Sequence, residues 1–391
     1  MLENTYFMWR FLRRMNSNEY KILNIKGAVL DKVQLEKYIE KIAADHNLQH
    51  FSNSKTYPIP RLKENFKFIT KTYNILNEHI KMGIDIYPAG EWLLDNYYVI
   101  EETVQSIVKE ISLKKYRSFI GIADGPYAGF ARIYVLASEI VAYTDSKIEY
   151  DNLKYCLEAY QQKKTLGMEE IWSLQLFLQI VIIENIRNIC EKIYSSQIQK
   201  YKVENIVERL VERKDYKNQK YKLNFKESYK SISYKEMKYP FIEYMAYKLK
   251  KYGKNGIAYF NVLEEQVSKM GTSIGDVVKK EHFLIATSKV SIGNSITSLR
   301  EIGRLNILDI FENINGVEEI LNKDPANVYS QMDYKTKEYY RRKIEEISKK
   351  TKISEIYIAN KILELASMAN KTGKEKHVGY YLISKRKKSI K

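Results

Sequence analysis

The chain has 391 residues, two cysteines, five histidines and a formal net charge of +17. That length supports a sizeable core and two domains rather than one, while the scarcity of Cys and His argues against a disulfide scaffold or a Cys/His zinc site and leaves a carboxylate site open. No apolar run reaches the roughly 18 residues of a membrane span, and no apolar core and cleavage site follow the basic start (Arg10, Arg13, Arg14), so a cytoplasmic setting is expected.

Only six prolines and sixteen glycines interrupt a chain rich in Leu, Ile, Lys and Glu, which predicts long helices. The expected fold is all-α: a multi-helix bundle of largely antiparallel helices in two packed subdomains. The expected units are an N-terminal extension with a short helix (1–57), a first helical subdomain (58–213), a basic Lys/Tyr-rich connector (214–238), a second helical subdomain (239–384) and a basic tail (385–391).

In chain order, "KVQLEKYIEKIAAD" (Lys32 to Asp45) has helical apolar spacing. "SNSKTYPIPR" reads as an extended linker because of Pro58 and Pro60. A long helix follows from about Leu62 to Lys81, with Gly83 as its stop, and Pro88 opens a second. Further helices are expected over "FARIYVLASEIVAY", over "NLKYCLEAYQQKK" and from Met168 to about Ser195, the last nearly apolar all round at first and hence central. Tyr239 to Lys251, Asn255 to Met270, Ser273 to Leu305, Val317 to Leu321, Lys335 to Lys350 and Ser354 to Asn370 complete the set, with no strand-hairpin pattern and no repeat.

The charge is localised. Residues 341–391 hold fifteen Lys/Arg against five Asp/Glu, and residues 201–238 hold eleven against six, so the rest of the chain is nearly neutral. Basic segments of this kind attract phosphates of nucleic acid or anionic lipid, or are simply a solvated lysine-rich surface.

Three stretches could carry chemistry. "ADGPYAGFARIY" (Ala123 to Tyr134) has neither the Gly-Lys-Ser/Thr of a phosphate loop nor a dinucleotide fingerprint, and Pro126 removes an amide such a loop needs. It reads instead as a helix entrance capped by Asp124, with Gly121, Gly125 and Gly129 permitting a close helix approach and Arg132 a buried cation in need of a partner. "PAGEWLLDNYYVIEE" places Glu91 and Asp95 on one helical face, Tyr98 and Glu102 likewise, with Trp92 and Asn96 on the same helix. Paired carboxylates beside an aromatic suit glycan chemistry, or equally ion pairs to a neighbouring helix. "EEIWSLQLFLQIVIIENIR" sets Glu170, Trp172, Glu184, Asn185 and Arg187 on an apolar helix, with Glu184 and Arg187 spaced to pair with each other. These twelve residues are candidates for glycan binding or a polar network; no catalytic residue, cofactor or metal ligand is assigned.

Several blocks resemble the N-terminal region of bacterial cyclic β-1,2-glucan synthases: "EWLLDNYYVIEETV", "ADGPYAGFARIYVLASEIVAYTDS", "EEIWSLQLFLQIVIIENIR", "SIGNSITSLREI", "DPANVYSQMDYKTKEYYR" and "HVGYYLI", in the family's order from about residue 60 onward. The resemblance implies a helical region of a large inner-membrane enzyme, followed in that family by membrane helices around a UDP-glucose-dependent glycosyltransferase domain and then by cyclisation and phosphorylase-type domains. The chain contains no stretch resembling those catalytic parts, which implies either a fragment or a free-standing relative. The tail residues Lys385, Arg386, Lys387, Lys388 and Lys391 would then lie just before a membrane span, at the cytoplasmic face of the inner membrane.

Three functions are weighed. The first is a non-catalytic scaffold or glucan-handling module whose partners are the glycosyltransferase and other synthase domains, with β-1,2-glucan and an anionic membrane surface as further contacts. The second is a carboxylate-dependent glycan-processing domain using Glu91, Asp95 or Glu170. The third is a basic binder of nucleic acid or anionic surfaces, for which no nucleic-acid motif is present.

Overall fold

The computed structural model describes residues 23, 27–212, 237–304, 316–368 and 373–383. The basic start, the connector apart from Met237 and Lys238, and the basic tail lie outside the described residues.

Fourteen α-helices make up the described chain, so the all-α multi-helix expectation holds. The first, α1 (Lys32–Asp45), opens on a capping box in which the Asp31 carboxylate accepts from the Gln34 amide at 2.9 Å and the Gln34 side chain accepts from the Asp31 amide at 3.2 Å. Next, α2 (Ile59–Lys81) begins three residues earlier than predicted, because Pro60 sits in the first turn, where its missing N–H leaves no hydrogen bond unmade. It ends before Gly83, whose φ of +70° is open to glycine. Pro88 similarly opens α3 (Pro88–Glu110). After the short α4 (Leu113–Ser118) come α5 (Arg132–Tyr143), buried continuously from Arg132 to Val141, and α6 (Tyr150–Gln161).

The helix expected to end near Ser195 continues to form α7 (Met168–Glu212), 45 residues and about 68 Å long. Its extension has a use: Val203 and Val207 are buried in a second apolar cluster. That cluster is completed by α8 (Tyr239–Lys251), α9 (Lys254–Ser268) and the start of α10 (Ile274–Ile302), through Phe241, Met245, Leu263, Val267 and Val277. The larger cluster gathers the apolar faces of α1 to α7 with the end of α10 and with α11 (Gly316–Leu321), α12 (Tyr334–Thr351), α13 (Glu355–Ser367) and α14 (Val378–Ile383). Both α7 and α10 thus run through both clusters, and α7 packs on α2, α5, α8 and α10. None of the described helices is long and apolar enough to cross a membrane. Cys156 and Cys190 are free and buried; desolvation raises both thiols, that of Cys156 to about 12.

Two corrections to the helix-entrance reading concern residues 121–131. A small antiparallel sheet joins β1 (Leu48–Gln49) to β2 (Gly121–Ile122), pairing Leu48 with Ile122 and Gln49 with Gly121. The pairing is no hairpin: strands of two residues, far apart in sequence, carry no hairpin signature. Nor is Asp124 a helix cap. Helix α5 starts at Arg132 with Ala131 in the cap position, and residues 122–130 form a closed loop instead. In that loop the Ile122 amide donates to the Phe130 carbonyl (2.9 Å) and the Gly129 amide to the Ile122 carbonyl (2.8 Å). Gly125 and Gly129 have φ of +69° and +90°, so their role is turn geometry rather than helix contact. At Gly121 an added Cβ would lie 2.5 Å from the Phe51 carbonyl oxygen, so the close approach it permits is to the backbone of the 47–56 segment.

Candidate functional site

The continuously buried start of α5 contains a cation. Arg132 is 2% exposed and Glu170, in the first turn of α7, is 3% exposed. The two meet as a bidentate pair, Nε to Oε1 at 2.7 Å and Nη2 to Oε2 at 2.6 Å, and Arg132 Nη2 also donates to the Thr165 carbonyl at 2.8 Å. The Glu170 carboxylate further accepts from the Gly167 amide at 2.8 Å, which fixes the entry of α7. Burial disfavours the guanidinium charge, but Glu170 outweighs it and holds Arg132 protonated. Close by, His46 bonds through Nδ1 to the Tyr160 hydroxyl (2.9 Å). Burial, reinforced by the Arg132 charge, lowers its pKa to about 4.

About four turns further along α7, in its apolar part, is a second, largely buried pair. Glu184 accepts from Arg61 Nε at 3.0 Å, from Arg61 Nη2 at 2.7 Å and from Asn65 Nδ2 at 2.5 Å, tying α2 to α7. This corrects the expected Glu184–Arg187 pairing. Arg187 instead bridges to Glu191 at 2.8 Å and lies over the Phe68 ring at 5.3 Å. Residues 184 and 187 are only about 60° apart around the helix, but each is taken by another partner, Glu184 by Arg61 and Asn65 across on α2 and Arg187 by Glu191 one turn along α7. Asn185 faces a third direction. Its amide donates to the hydroxyls of Ser146 (2.8 Å), Ser295 (3.2 Å) and Ser291 (3.3 Å), and Ser291 donates in turn to Asp145 at 2.6 Å. Asp145 and Ser146 hold φ of +49° and +60° in this knot between α5, α7 and α10.

The α3 residues separate by face. Glu91 is 58% exposed and lies 4.0 Å from Lys289 of α10; Asp95 and Glu102 are also exposed. Trp92 is half-buried, its ring against Gly293 of α10. Asn96 is buried, donates to the Trp92 carbonyl at 2.8 Å and accepts from Arg300 at 2.5 Å, and Arg300 also reaches the Tyr98 hydroxyl at 3.1 Å. Of the remaining candidates, Asp124 is an exposed acceptor of the Asn47 side-chain amide (2.7 Å), and Trp172 is half-buried beneath the Arg342 guanidinium at 5.7 Å. The twelve residues therefore do not share one cavity. Arg132 joins Glu170, Asn185 lines an open groove of about 1080 Å³ between α7 and α10, and the α3 carboxylates lie on the surface.

Sequence reasoning missed two further networks, both near the C-terminal end. Glu318 of α11 is buried and binds Arg341 at 2.8 Å, Lys337 at 3.2 Å and the Tyr329 hydroxyl at 2.7 Å. Asp324 accepts from the amides of Val328, Tyr329 and Val378 and from His377 Nδ1 at 2.7 Å. Burial alone raises that carboxyl, but His377 and the amides of Val378 and Tyr329 reverse the effect and lower its pKa. The Asp-Pro pair at 324–325, a turn opener with an acceptor side chain, was the available signal. Among the described residues, no cluster of three or more His, Cys, Asp or Glu is arranged to hold a metal ion.

No protein-family model matches the chain. Over 336 residues, 84% of its length, the chain is 25% identical to the cyclic beta-(1,2)-glucan synthase NdvB of Rhizobium meliloti (strain 1021). The chain spans only 12% of that protein, so it is similar to one portion of the synthase.

Proposed function

We propose that this chain is a non-catalytic helical module of a cyclic β-1,2-glucan synthase-like system, which docks against the domains that carry out the chemistry. The observation that carries the proposal is the fate of the ionic side chains in the blocks that resemble the synthase. Arg132–Glu170, Arg61–Glu184, Glu318–Arg341 and Asp324–His377 are used up in pairs that join one helix or loop to another. A glycoside hydrolase needs two carboxyls facing each other across a substrate site. Glu91 and Asp95 lie on the outer surface of α3, and Glu170 is neutralised by Arg132, so none is placed as an acid–base pair. The similarity to one portion of a far larger synthase supports the same reading.

In this reading the module works at the cytoplasmic face of the membrane that holds the synthase, with its basic C-terminal residues drawn to anionic lipid at about 1 kcal/mol per charge. Co-expression of the tagged chain with the polypeptide bearing the glycosyltransferase domain from the same genome tests the proposal. Stoichiometric co-purification is expected; purification of the two as separate species at moderate salt contradicts it.

A further inference from the structure

The open groove between α7 and α10 is bordered by Glu191 of the Arg187 pair and by the Asn185–Ser291–Asp145 knot, but most of its lining lies outside those networks. Its wall on α7 carries Asn185, Asn188 and Ser195, and its wall on α10 carries Glu281, Phe283 and Thr287, with Tyr239 of α8 at one end. Two features separate it from an ordinary surface depression. Glu281 is 4% exposed and lines the groove, yet among the described residues no hydrogen bond reaches its carboxyl. A ligand hydroxyl entering the groove would give that carboxyl a hydrogen-bond partner. Phe283, by contrast, is 67% exposed on the same wall, an aromatic face that packs on nothing in the core clusters.

We infer that this groove is a saccharide-binding site, with Phe283 and Tyr239 as stacking surfaces for the C–H faces of pyranose rings and Glu281, Asn185 and Asn188 as partners for their hydroxyls. The volume, about 1080 Å³, lies at the upper end for small-molecule sites and accommodates a short oligosaccharide. The chemistry of the lining selects the ligand class. Side-chain amides and hydroxyls beside aromatic faces suit a neutral polyhydroxylated chain. Burial and the neighbouring Glu243 raise the Glu281 pKa against the opposing charges of Lys200 and His282. The choice of a β-1,2-linked gluco-oligosaccharide rests on the proposed synthase relationship.

The test is calorimetric titration of the full chain with β-1,2-gluco-oligosaccharides, alongside Phe283→Ala, Glu281→Ala and Glu281→Gln. Saturable binding is expected, weakened about tenfold by Phe283→Ala, which removes only an exposed ring, and retained by Glu281→Gln, which keeps a neutral hydrogen-bonding group. Absence of saturable binding overturns the inference. So does binding that neither Phe283→Ala nor Glu281→Ala weakens, since the ligand would then sit elsewhere, and so does binding abolished by Glu281→Gln, since the site would then depend on the carboxylate charge rather than on a neutral hydrogen-bonding group. The co-purification experiment is independent of all these outcomes: a chain that binds its synthase partner but no saccharide loses the groove and keeps the docking role.

Discussion

Arg132 illustrates how a single buried side chain constrains this fold. Its guanidinium has one strong partner, the Glu170 carboxylate, in a site shielded from water, so removing either leaves an uncompensated charge. Arg132→Ala and Glu170→Ala are each expected to destabilise the chain by about 3–5 kcal/mol in urea unfolding, whereas the double change Arg132→Met, Glu170→Leu should recover most of that loss. A second residue-scale effect concerns pH. The folded pKa of His46 is lowered to about 4 from an ordinary value of 6.5 by burial and Arg132. Between those values the unfolded chain binds more protons than the folded one, so stability is full above about pH 6.5 and falls as the pH drops toward 4. His79, lowered in the same direction mainly by burial, adds to the slope. Thermal unfolding from pH 7 to 4.5 should show this decline, and His46→Gln should flatten it; an unchanged slope in the variant would place the pH dependence elsewhere.

At the scale of elements, the loop of residues 122–130 acts as a clasp rather than a reactive turn. Its Gly129 carbonyl accepts from the Asn53 amide and the Thr56 hydroxyl, both at 2.8 Å, so the 47–56 segment is pinned across the start of α5. Gly121→Ala would force a Cβ against the Phe51 carbonyl and is expected to cost about 1–3 kcal/mol, while Gly125→Ala, with open space but a φ of +69°, should cost about 1 kcal/mol; denaturant midpoints rank the two. Helix periodicity made most of the fold legible: the spacing of Leu35, Ile39 and Ile42 fixes α1 to the residue. The clasp was not legible because its pairing is non-local, joining residues about seventy positions apart through two-residue strands. The extension of α7 past Ser195 was hidden because its later apolar positions, Val203 and Val207, face a different core from the earlier ones. For the site, the need of Arg132 for a partner was readable, but which carboxylate supplies it was not, since Glu170, Glu184 and Glu91 are alike in sequence and differ only in which helix lies opposite. Glu281 escaped notice for the same reason: a lone Glu in an otherwise polar helix start carries no mark of burial.

On the scale of the whole molecule, α7 and α10 join two apolar clusters, while the ion pairs lie where helices from distant parts of the chain cross. Such an arrangement holds a surface steady for a partner, and the candidate carboxylates Glu91, Asp95 and Glu170 do not face one another across a cleft. The basic end of the sequence adds a salt-sensitive attraction to anionic vesicles, which deletion of residues 384–391 should abolish in a sedimentation assay at low ionic strength. The central claim, that the module supports glucan synthesis without performing it, is tested most directly by incubating the isolated chain with linear β-1,2-gluco-oligosaccharides, with and without UDP-glucose, and following the products. The account predicts no elongation, cleavage or cyclisation above a blank. Turnover that disappears on Glu91→Ala would contradict it.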